Sequence, residues 1–364
     1  MKWESIVTDE STVTTEGGYG SIHIPRYWIF PCYYDALNAL FRIENTLRVL
    51  VYVVLKDKFR DKWINSKATN DSDNKEPSST IGQIAKQRMN PIQRFGYLGY
   101  FVSCPLMYLT SGELIRLILS ENYWEHFKPY FLGSKEIIKN KLDEISVVRN
   151  ALAHFRPIRQ DDIDLVKQNA RHVLSKIESS LVDMMRCADV VPTNTQEEWY
   201  RQFRTLSTDQ YKFSFNQSND EKWVKVSFMY SCPAFLIEKF GRNRRYRVLN
   251  LNTPAILHCF PRLKAFLILL SEKCPSSYQR LKEDETPYFG KSIAMTFSRE
   301  VLITEYQPIK QQIEELLLKL CEETSLLQDD QLARGELVQA IGTSIRAECE
   351  DKARYCSVDS YNLK

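Results

Sequence analysis

The spacing of apolar residues changes midway along the chain, and this change constrains the fold more than any other feature of the sequence. From Tyr33 to Cys187, apolar residues recur every three to four positions, which is typical of amphipathic helices. From Tyr211 onward, several short segments alternate apolar and polar residues, which is typical of half-buried strands. The sequence therefore predicts an all-α helical bundle over residues 25–190, followed by an α+β domain over residues 197–364.

The first half is predicted to be helical after a flexible arm at residues 1–24, which are rich in Ser, Thr and Gly. Helices are predicted over residues 33–63, 81–89, 105–120, 135–154 and 161–187. Pro91 and Pro157 are expected to end the helices before them, because the residue preceding a proline disfavours helical dihedral angles. Residues 65–80 are polar and predict a loop.

The second half is predicted to mix strands and helices. Period-two alternation predicts strands over residues 211–217, 222–231 and 246–251, the first two joined as a hairpin, and one or two strands within 292–306. Helices are predicted over residues 261–273, 308–327 and 331–354.

Composition limits the classes of function. The net charge is only +3 at pH 7, so any binding of nucleic acid must depend on a local patch. The nine Cys residues occur singly, without zinc-site spacing, which predicts free thiols in a reducing cytoplasm and no metal or other cofactor. No signal peptide is recognisable, and the apolar run Leu47–Leu55 is too short to span a bilayer, so we expect a cytoplasmic protein with no membrane partner.

One Arg and one His near the end of a predicted helix, Arg149 and His154, suggest chemistry. Such a spacing is expected about once by chance in a chain with 5 His residues, so the pair is informative only together with the surrounding sequence, "LDEISVVRNALAHFRPI". The predicted apolar face of this helix comprises Ile137, Leu142, Ile145, Val148, Leu152 and Phe155. A separation of five residues corresponds to about 140° of rotation and about 7.5 Å of rise, so a single helix does not bring the two side chains together.

The segment around Arg149 resembles the signature helix of the HEPN superfamily, in which ribonucleases carry Arg, a polar residue, three further residues and His. The polar residue here is Asn150. "RIENTLRVLVYVVL" is similar to the E-x-x-x-R opening helix of HEPN domains of abortive-infection type, and "LTSGELIRLILSENYWEHF" resembles their third helix. The resemblance covers roughly residues 28–188.

The resemblance implies a metal-independent endoribonuclease in which the 2′-OH of the RNA attacks the adjacent phosphate. His154 would be the general acid or base and Arg149 the cation beside the phosphate, roles that suit an imidazole and a guanidinium. The supporting and substrate-binding residues would be Asn150, Glu44, Arg48, Arg156, Arg159 and Arg171. The family also implies a homodimer with a composite site, RNA as substrate, and a toxin or anti-phage role controlled by an antitoxin or a phage-derived trigger.

Other interpretations remain open. His154 and Arg149 are also compatible with an ordinary capped helix end, and Glu44 with Arg48 with a solvated salt bridge. The domain would then be a non-catalytic HEPN module that binds RNA, nucleotide or a partner protein, or a structural dimerisation bundle. The Arg-rich segment "GRNRRYRV" is predicted either to contact RNA or nucleotide phosphates or to be a solvated loop between strands.

Overall fold

The structure is a computed structural model that describes the backbone over most of the chain. The described backbone comprises residues 12–15, 22–25, 33–68, 79–93, 104–156, 158–188, 195–240, 243–249, 257, 259–279, 288–326, 335–341, 344–347 and 353–357. Side chains are described for residues 34–68, 79–89, 104–156, 158–188, 195–230, 239, 257, 259–271 and 290–321.

A helical N-terminal region is followed by an antiparallel sheet with helices, which confirms the predicted order of α and then α+β. The helices of the first region are α1 (Tyr33–Phe59), α2 (Ile81–Gln93), α3 (Ser111–Leu119), α4 (Trp124–Phe127), α5 (Lys135–Ala153) and α6 (Gln160–Arg186). Short 3₁₀ helices lie at Arg60–Asn65, Pro105–Tyr108 and Lys128–Tyr130. Three further helices, α7 (Glu198–Arg204), α8 (Pro261–Phe266) and α9 (Arg299–Leu326), accompany the sheet.

Among the strands whose side chains are described, four pack against these three helices. They are β3 (Tyr211–Gln217), β4 (Trp223–Phe240), β6 (Leu269–Gln279) and β7 (Tyr288–Ser298), in the order β3–β4–β7–β6. The sheet continues through β5 (Asn243–Leu249), β8 (Gly335–Ile341), β9 (Ser344–Ala347) and β10 (Ala353–Ser357), with β5 on β4 and β10 on β6. The predicted hairpin is confirmed, because Phe213 of β3 pairs with Phe228 of β4 in an antiparallel register.

Two short strands lie in and next to the predicted flexible arm. They are β1 (Thr12–Thr15) and β2 (Ile22–Pro25), and they pair with each other in an antiparallel ladder. The other residues of the arm lie outside the described part of the chain.

The chain forms two compact units, neither of which is contiguous in sequence. The first unit is built from residues within 1–54, 67–81 and 109–180, and the second from residues within 55–66, 82–108 and 181–364. The last turn of α1 and most of α2 therefore group with the sheet. The limits 25–190 and 197–364 remain predictions about where the character of the sequence changes.

Helices α1, α3, α5 and α6 supply most of the core of the first unit. Their buried apolar side chains include Ile43, Leu47, Leu50, Leu114, Ile118, Ile138, Leu142, Ile145, Val148, Ile163, Val166, Val173 and Ile177. The predicted apolar face of α5 is correct for Leu142, Ile145 and Val148, but Ile137 is 47% exposed and Phe155 is 96% exposed. The neighbouring Ile138, fully buried, takes the place expected for Ile137.

Side-chain caps set where α3 and α5 begin. Thr110 caps α3 with a capping box, in which its hydroxyl accepts from the Glu113 N–H at 3.3 Å and the Glu113 carboxylate accepts from the Thr110 N–H at 2.8 Å. The predicted start at Pro105 is therefore wrong, because the capping box begins the helix at Ser111. At α5, Ser134 accepts from the Ile137 N–H, and hydrogen bonds from the backbone and from Ser134 lower the pKa of Glu136.

Ion pairs join α1 to α6 within the first unit. Arg42 donates to both carboxylate oxygens of Glu178, and this hydrogen bonding raises the pKa of the Arg42 guanidinium. Lys167 donates to Asp35 at 2.8 Å. These pairs are largely exposed, so each contributes little to the stability of the fold.

The second unit has its own core between the sheet and its helices. Its fully buried members include Trp199, Phe203, Phe228 and Phe297. Arg299, the first residue of α9, donates to Glu197 at 2.7 and 3.1 Å and to Glu221 at 2.7 Å. The bond with Glu197 is the main cause that raises the pKa of Arg299.

Several predicted elements of the second half were wrong. The run over 261–273 is helical only to Phe266, because its continuous apolar sequence suits a buried strand as well as a helix, and β6 begins at Leu269. Strand β7 ends at Ser298, whose hydroxyl accepts from the Val301 N–H at 3.3 Å and starts α9 inside the stretch predicted as strand.

A predicted helix, a predicted loop and a predicted helix end also differ from the structure. The predicted helix over 331–354 is replaced by β8, β9 and the start of β10, with β8 paired to β5. From Asn243 onward the Arg-rich segment lies in β5 rather than in a loop, which confirms the strand predicted over 246–251 as far as Leu249; the side chains of this segment lie outside the described residues. Helix α2 continues through Pro91 to Gln93, so this proline did not end the helix. Within the described residues, no helix is both long and apolar enough to cross a membrane.

The buried face of α5 predicts a difference between two adjacent valines. Val148 is 5% exposed and Val147 is 70% exposed. We expect Val148→Ala to lower the free energy of unfolding by about 2 kcal/mol, because it removes buried methyl groups and leaves a cavity. Val147→Ala is the matched control and should change this free energy by less than about 0.5 kcal/mol. Equal effects in urea-induced unfolding would contradict the assigned orientation of α5.

Candidate functional site

Three of the predicted site residues, Arg149, Asn150 and His154, lie at the C-terminal end of α5. Arg149 is half-buried, Asn150 is exposed, and both lie in the last two turns of the helix. The helix ends at Ala153, and the next residue, His154, is its C-cap and is exposed. The helix predicted over 135–154 is therefore confirmed to within one residue.

Arg149 lines a small cavity between α1, α3 and α5. The polar residues that share this cavity are Glu44 of α1, Ser111 of α3 and Ser146 of α5, and the other lining residues are apolar. The cavity leaves about 20 Å³ for a water-sized molecule, enough for a single water. The structure thus brings Glu44, predicted as a supporting residue, to the same cavity as Arg149, although 105 positions separate them in the sequence.

Glu44 and Arg48 form a partly buried cluster rather than a solvated salt bridge. Arg48 donates to the Glu44 carboxylate, and their side chains are 13% and 22% exposed, respectively. Arg48 also donates to the Asn45 side chain at 3.2 Å, and its guanidinium lies 3.5 Å from the Leu109 carbonyl. The other oxygen of Glu44 accepts from the Ser111 hydroxyl at 2.7 Å. The cluster therefore ties α1 to the first turn of α3.

The Arg149 guanidinium is held within its own helix. It donates to the Asn150 side-chain oxygen at 3.3 Å. Among the described residues, no carboxylate forms an ion pair with Arg149, and the Glu44 carboxylate that shares its cavity is engaged by Arg48 and Ser111. Asn150 therefore orients Arg149, a role that the sequence left open.

His154 is placed by a Schellman motif at the end of α5. The Phe155 N–H donates to the Leu152 carbonyl at 3.0 Å, and the Arg156 N–H donates to the Ala151 carbonyl at 2.8 Å. The His154 N–H donates to the Asn150 carbonyl at 3.2 Å. Backbone bonds therefore satisfy the helix end, and the exposed imidazole of His154 is not needed as a cap.

Phe155 departs most from what the sequence indicates. Its φ of 55° places it in the left-handed region, at the position of the Schellman motif where Gly is most common. A side chain in this conformation costs about 1–2 kcal/mol relative to a right-handed one. The reversal of the chain turns the ring away from the buried face of α5, which explains why its predicted place on that face is wrong.

Three predicted phosphate-binding arginines are exposed. Arg156 and Arg159 follow the end of α5, and Arg171 lies on α6. The Arg159 N–H donates to the Asp162 carboxylate at 2.8 Å, a backbone contact that helps start α6 and leaves its guanidinium in solvent. Arg156 and Arg159 thus form a short basic rim next to His154.

Arg149 and His154 are placed differently at the end of α5. Among the described residues, no hydrogen bond joins their side chains. Arg149 lies on the side of α5 that faces the cavity, whereas His154 lies beyond the last helical residue. Their separation therefore agrees with the helix geometry expected from the sequence.

Other candidate sites carry less chemistry. A second cavity of about 330 Å³ in the second unit is lined by residues that include Asp57, Lys222 and Arg299, but Arg299 is already paired with two glutamates. Within the part of the chain that the structure describes, no three His, Cys, Asp or Glu residues are close enough to hold a metal ion.

No protein-family model, curated protein or solved structure matches this chain. The residues at the end of α5 and their contacts are therefore the basis for assigning a function.

The strained backbone at Phe155 predicts a difference between two substitutions that both remove the ring. Phe155→Gly should be more stable to unfolding than Phe155→Ala by about 1 kcal/mol, because only Gly adopts a φ of 55° without strain. Urea-induced unfolding of the two variants measures this difference directly. A more stable Ala variant would contradict the left-handed conformation.

Proposed function

We propose that the chain is a metal-independent endoribonuclease of the HEPN type. One observation carries the proposal: the end of α5 presents an exposed imidazole, a guanidinium held by Asn150, and an adjoining basic rim formed by Arg156 and Arg159. This combination of proton exchange, a fixed cation and phosphate-binding charge is what cleavage of an RNA phosphodiester requires.

The reaction needs two proton transfers and a cation that stabilises the negative charge growing on the phosphate oxygens. The 2′-OH of the RNA loses its proton and attacks the phosphorus, the bond to the 5′ oxygen breaks, and that oxygen takes up a proton. The products are a 2′,3′-cyclic phosphate and a free 5′-OH. His154 would serve as the base or the acid, and the planar fork of Arg149 would bind the non-bridging oxygens as their negative charge grows.

The other predicted residues would either position Arg149 or bind the RNA. Asn150 and Glu44 would position the Arg149 guanidinium, the first by a direct bond and the second from across the cavity. Arg48 and Ser111 would hold Glu44 in place. Arg156, Arg159 and Arg171 would bind RNA phosphates.

The separation of Arg149 and His154 favours a site that two copies of the chain complete. In an arrangement with two-fold symmetry, the Arg149 of one protomer can approach the His154 of its partner, and the converse contact forms at the same time. We therefore propose that the active form is a homodimer.

The biological role follows from the family resemblance. The enzyme would act in the cytoplasm as a toxin or an anti-phage effector, controlled by an antitoxin or a phage-derived trigger. The α+β region would sense that signal or dock the partner.

A non-catalytic module that binds RNA, nucleotide or a partner protein is the second candidate. The observation in its favour is that Arg149 is half-buried beside a cavity of about 20 Å³, too small to admit a phosphate. A structural dimerisation bundle is a further alternative that leaves the exposed His154 unexplained.

Two substitutions test the catalytic roles. We expect Arg149→Ala and His154→Ala each to lower RNA cleavage by at least about 100-fold, because each removes one of the two reacting groups. Cleavage is measured on labelled RNA in the presence of EDTA, together with growth of cells that express each variant. Arg201→Ala and His172→Ala are matched controls, since Arg201 is exposed in the second unit and His172 bonds the Leu132 carbonyl.

The outcomes of this comparison differ for each hypothesis. Cleavage or growth arrest that persists in both folded variants would remove the ribonuclease. RNA binding without cleavage in the unmodified protein would favour the second candidate. Activity that stops in EDTA would contradict the metal-independent mechanism.

A mixing experiment tests the composite site. Arg149→Ala and His154→Ala proteins, each inactive alone, should together recover about a quarter of the unmodified activity, because half of the dimers are mixed and each holds one complete site of two. Subunit exchange is followed by native mass spectrometry. A mixture that exchanges subunits and stays inactive would place both groups of one site in the same protomer.

A further inference from the structure

Phe155 is an aromatic residue whose position the packing of the chain does not explain. It is 96% exposed, so its ring contributes almost nothing to the core. Its φ of 55° adds strain at a position where Gly would fit without it. Among the described residues, no aromatic ring or cation packs against the Phe155 ring. Exposure and strain together, with no contact of the ring among the described residues to offset them, indicate that the ring contacts another molecule.

The ring projects from a fixed backbone and not from a loose loop. The two bonds of the Schellman motif hold Phe155 and Arg156 against the last turn of α5, at 3.0 and 2.8 Å. Ile158, three residues later, is buried, and the Arg159 N–H is bonded to Asp162. An aromatic side chain on such a support loses little conformational freedom when a ligand packs against it.

The charges around Phe155 indicate the kind of ligand. His154 precedes it, and the exposed Arg156 and Arg159 follow it. The nearest acidic groups in sequence are Asp161 and Asp162 of the first turn of α6, and Asp162 is engaged by the Arg159 N–H. An exposed ring among cations is the arrangement by which proteins bind single-stranded nucleic acid: bases stack on the ring, and cations bind the phosphates.

We propose that Phe155 stacks on an unpaired base next to the phosphate that His154 contacts, and that the substrate is therefore single-stranded RNA. The proposal rests on the proposed ribonuclease function. Base-paired RNA cannot offer a free base face at this point, so a duplex is a poor substrate. Phe155 is thus a residue that determines specificity, while Arg149 and His154 carry out the reaction.

A second copy of the chain is the other molecule that could cover the ring. It is the less favoured occupant of the ring itself, because the exposed Arg156 and Arg159 that follow Phe155 match the phosphates of RNA, whereas an apolar contact with a second copy would leave these cations unmatched. The experiment separates the two occupants.

Four substitutions at Phe155 test for stacking. Phe155→Tyr and Phe155→Trp keep an aromatic face, whereas Phe155→Leu keeps apolar bulk without one, and Phe155→Gly removes the ring and relieves the strain. The ligand is a short fluorescein-labelled single-stranded RNA carrying 2′-O-methyl groups, which block the attacking hydroxyl. Binding is measured by fluorescence anisotropy, and sedimentation velocity reports the oligomeric state of each variant.

Stacking predicts a pattern in the dissociation constants. The Tyr and Trp variants should stay within about threefold of the unmodified protein, whereas the Leu and Gly variants should bind about tenfold more weakly. The Gly variant should do so although its fold is unstrained, which separates lost binding from lost stability. The unmodified enzyme should cleave single-stranded RNA at least about tenfold faster than a duplex of the same sequence, and the Leu variant should lose most of this preference.

The other possible outcomes contradict either the stacking role of Phe155 or the ribonuclease proposal. A Leu variant that binds as tightly as the unmodified protein overturns the stacking role. Variants that dissociate into monomers yet bind RNA unchanged overturn it as well, because the ring then lies between copies. If RNA binding follows the predicted pattern but no form of the protein cleaves RNA, the ribonuclease proposal fails and the stacking role stands.

Discussion

The abrupt end of α5 is the constraint on which the candidate site depends. Two backbone hydrogen bonds, from Phe155 to Leu152 and from Arg156 to Ala151, close the helix without help from a side chain. Because the carbonyls of the last turn are already engaged, the imidazole of His154 stays in solvent. The same bonds reverse the chain, so a residue that would have continued the buried face of the helix is turned outward. One local backbone motif thus sets the positions of His154, Phe155 and Arg156.

A second layer of contacts fixes the cationic side of the site. Arg149 is oriented by Asn150 and shares a cavity with Glu44, whose two oxygens are engaged by Arg48 and Ser111. The carboxylate is thus held by its own helix and by the start of α3. The capping box at Thr110 fixes that start in turn, so the position of Glu44 depends on where α3 begins. This chain of contacts gives a physical reason for the Glu-x-x-x-Arg spacing on α1.

The sequence predicted those features that depend on local periodicity and missed those that depend on contacts distant in the chain. The long helices and the hairpin of β3 and β4 were predictable because each has a clear apolar period. The helix expected over 331–354 was wrong because pairing between β5 and β8 outweighs local helical preference. The pair Arg149 and His154 could be read from the sequence. The bond between Ser111 and Glu44 could not, since 67 positions separate them. The left-handed turn at Phe155 was missed because that place is usually marked by Gly.

The continuity of α1 limits where the chain can be divided into fragments that fold on their own. This 27-residue helix contributes residues up to Val54 to one compact unit and its final turn to the other. Just beyond it, the Arg60 guanidinium lies 4.8 Å from the centre of the Phe266 ring, inside the second unit. A fragment that starts at residue 197 would therefore lack pieces of its own fold. Proteolytic nicking near residue 190 should accordingly leave two chains that remain associated, because residues 55–66 and 82–108 belong to the same unit as the sheet.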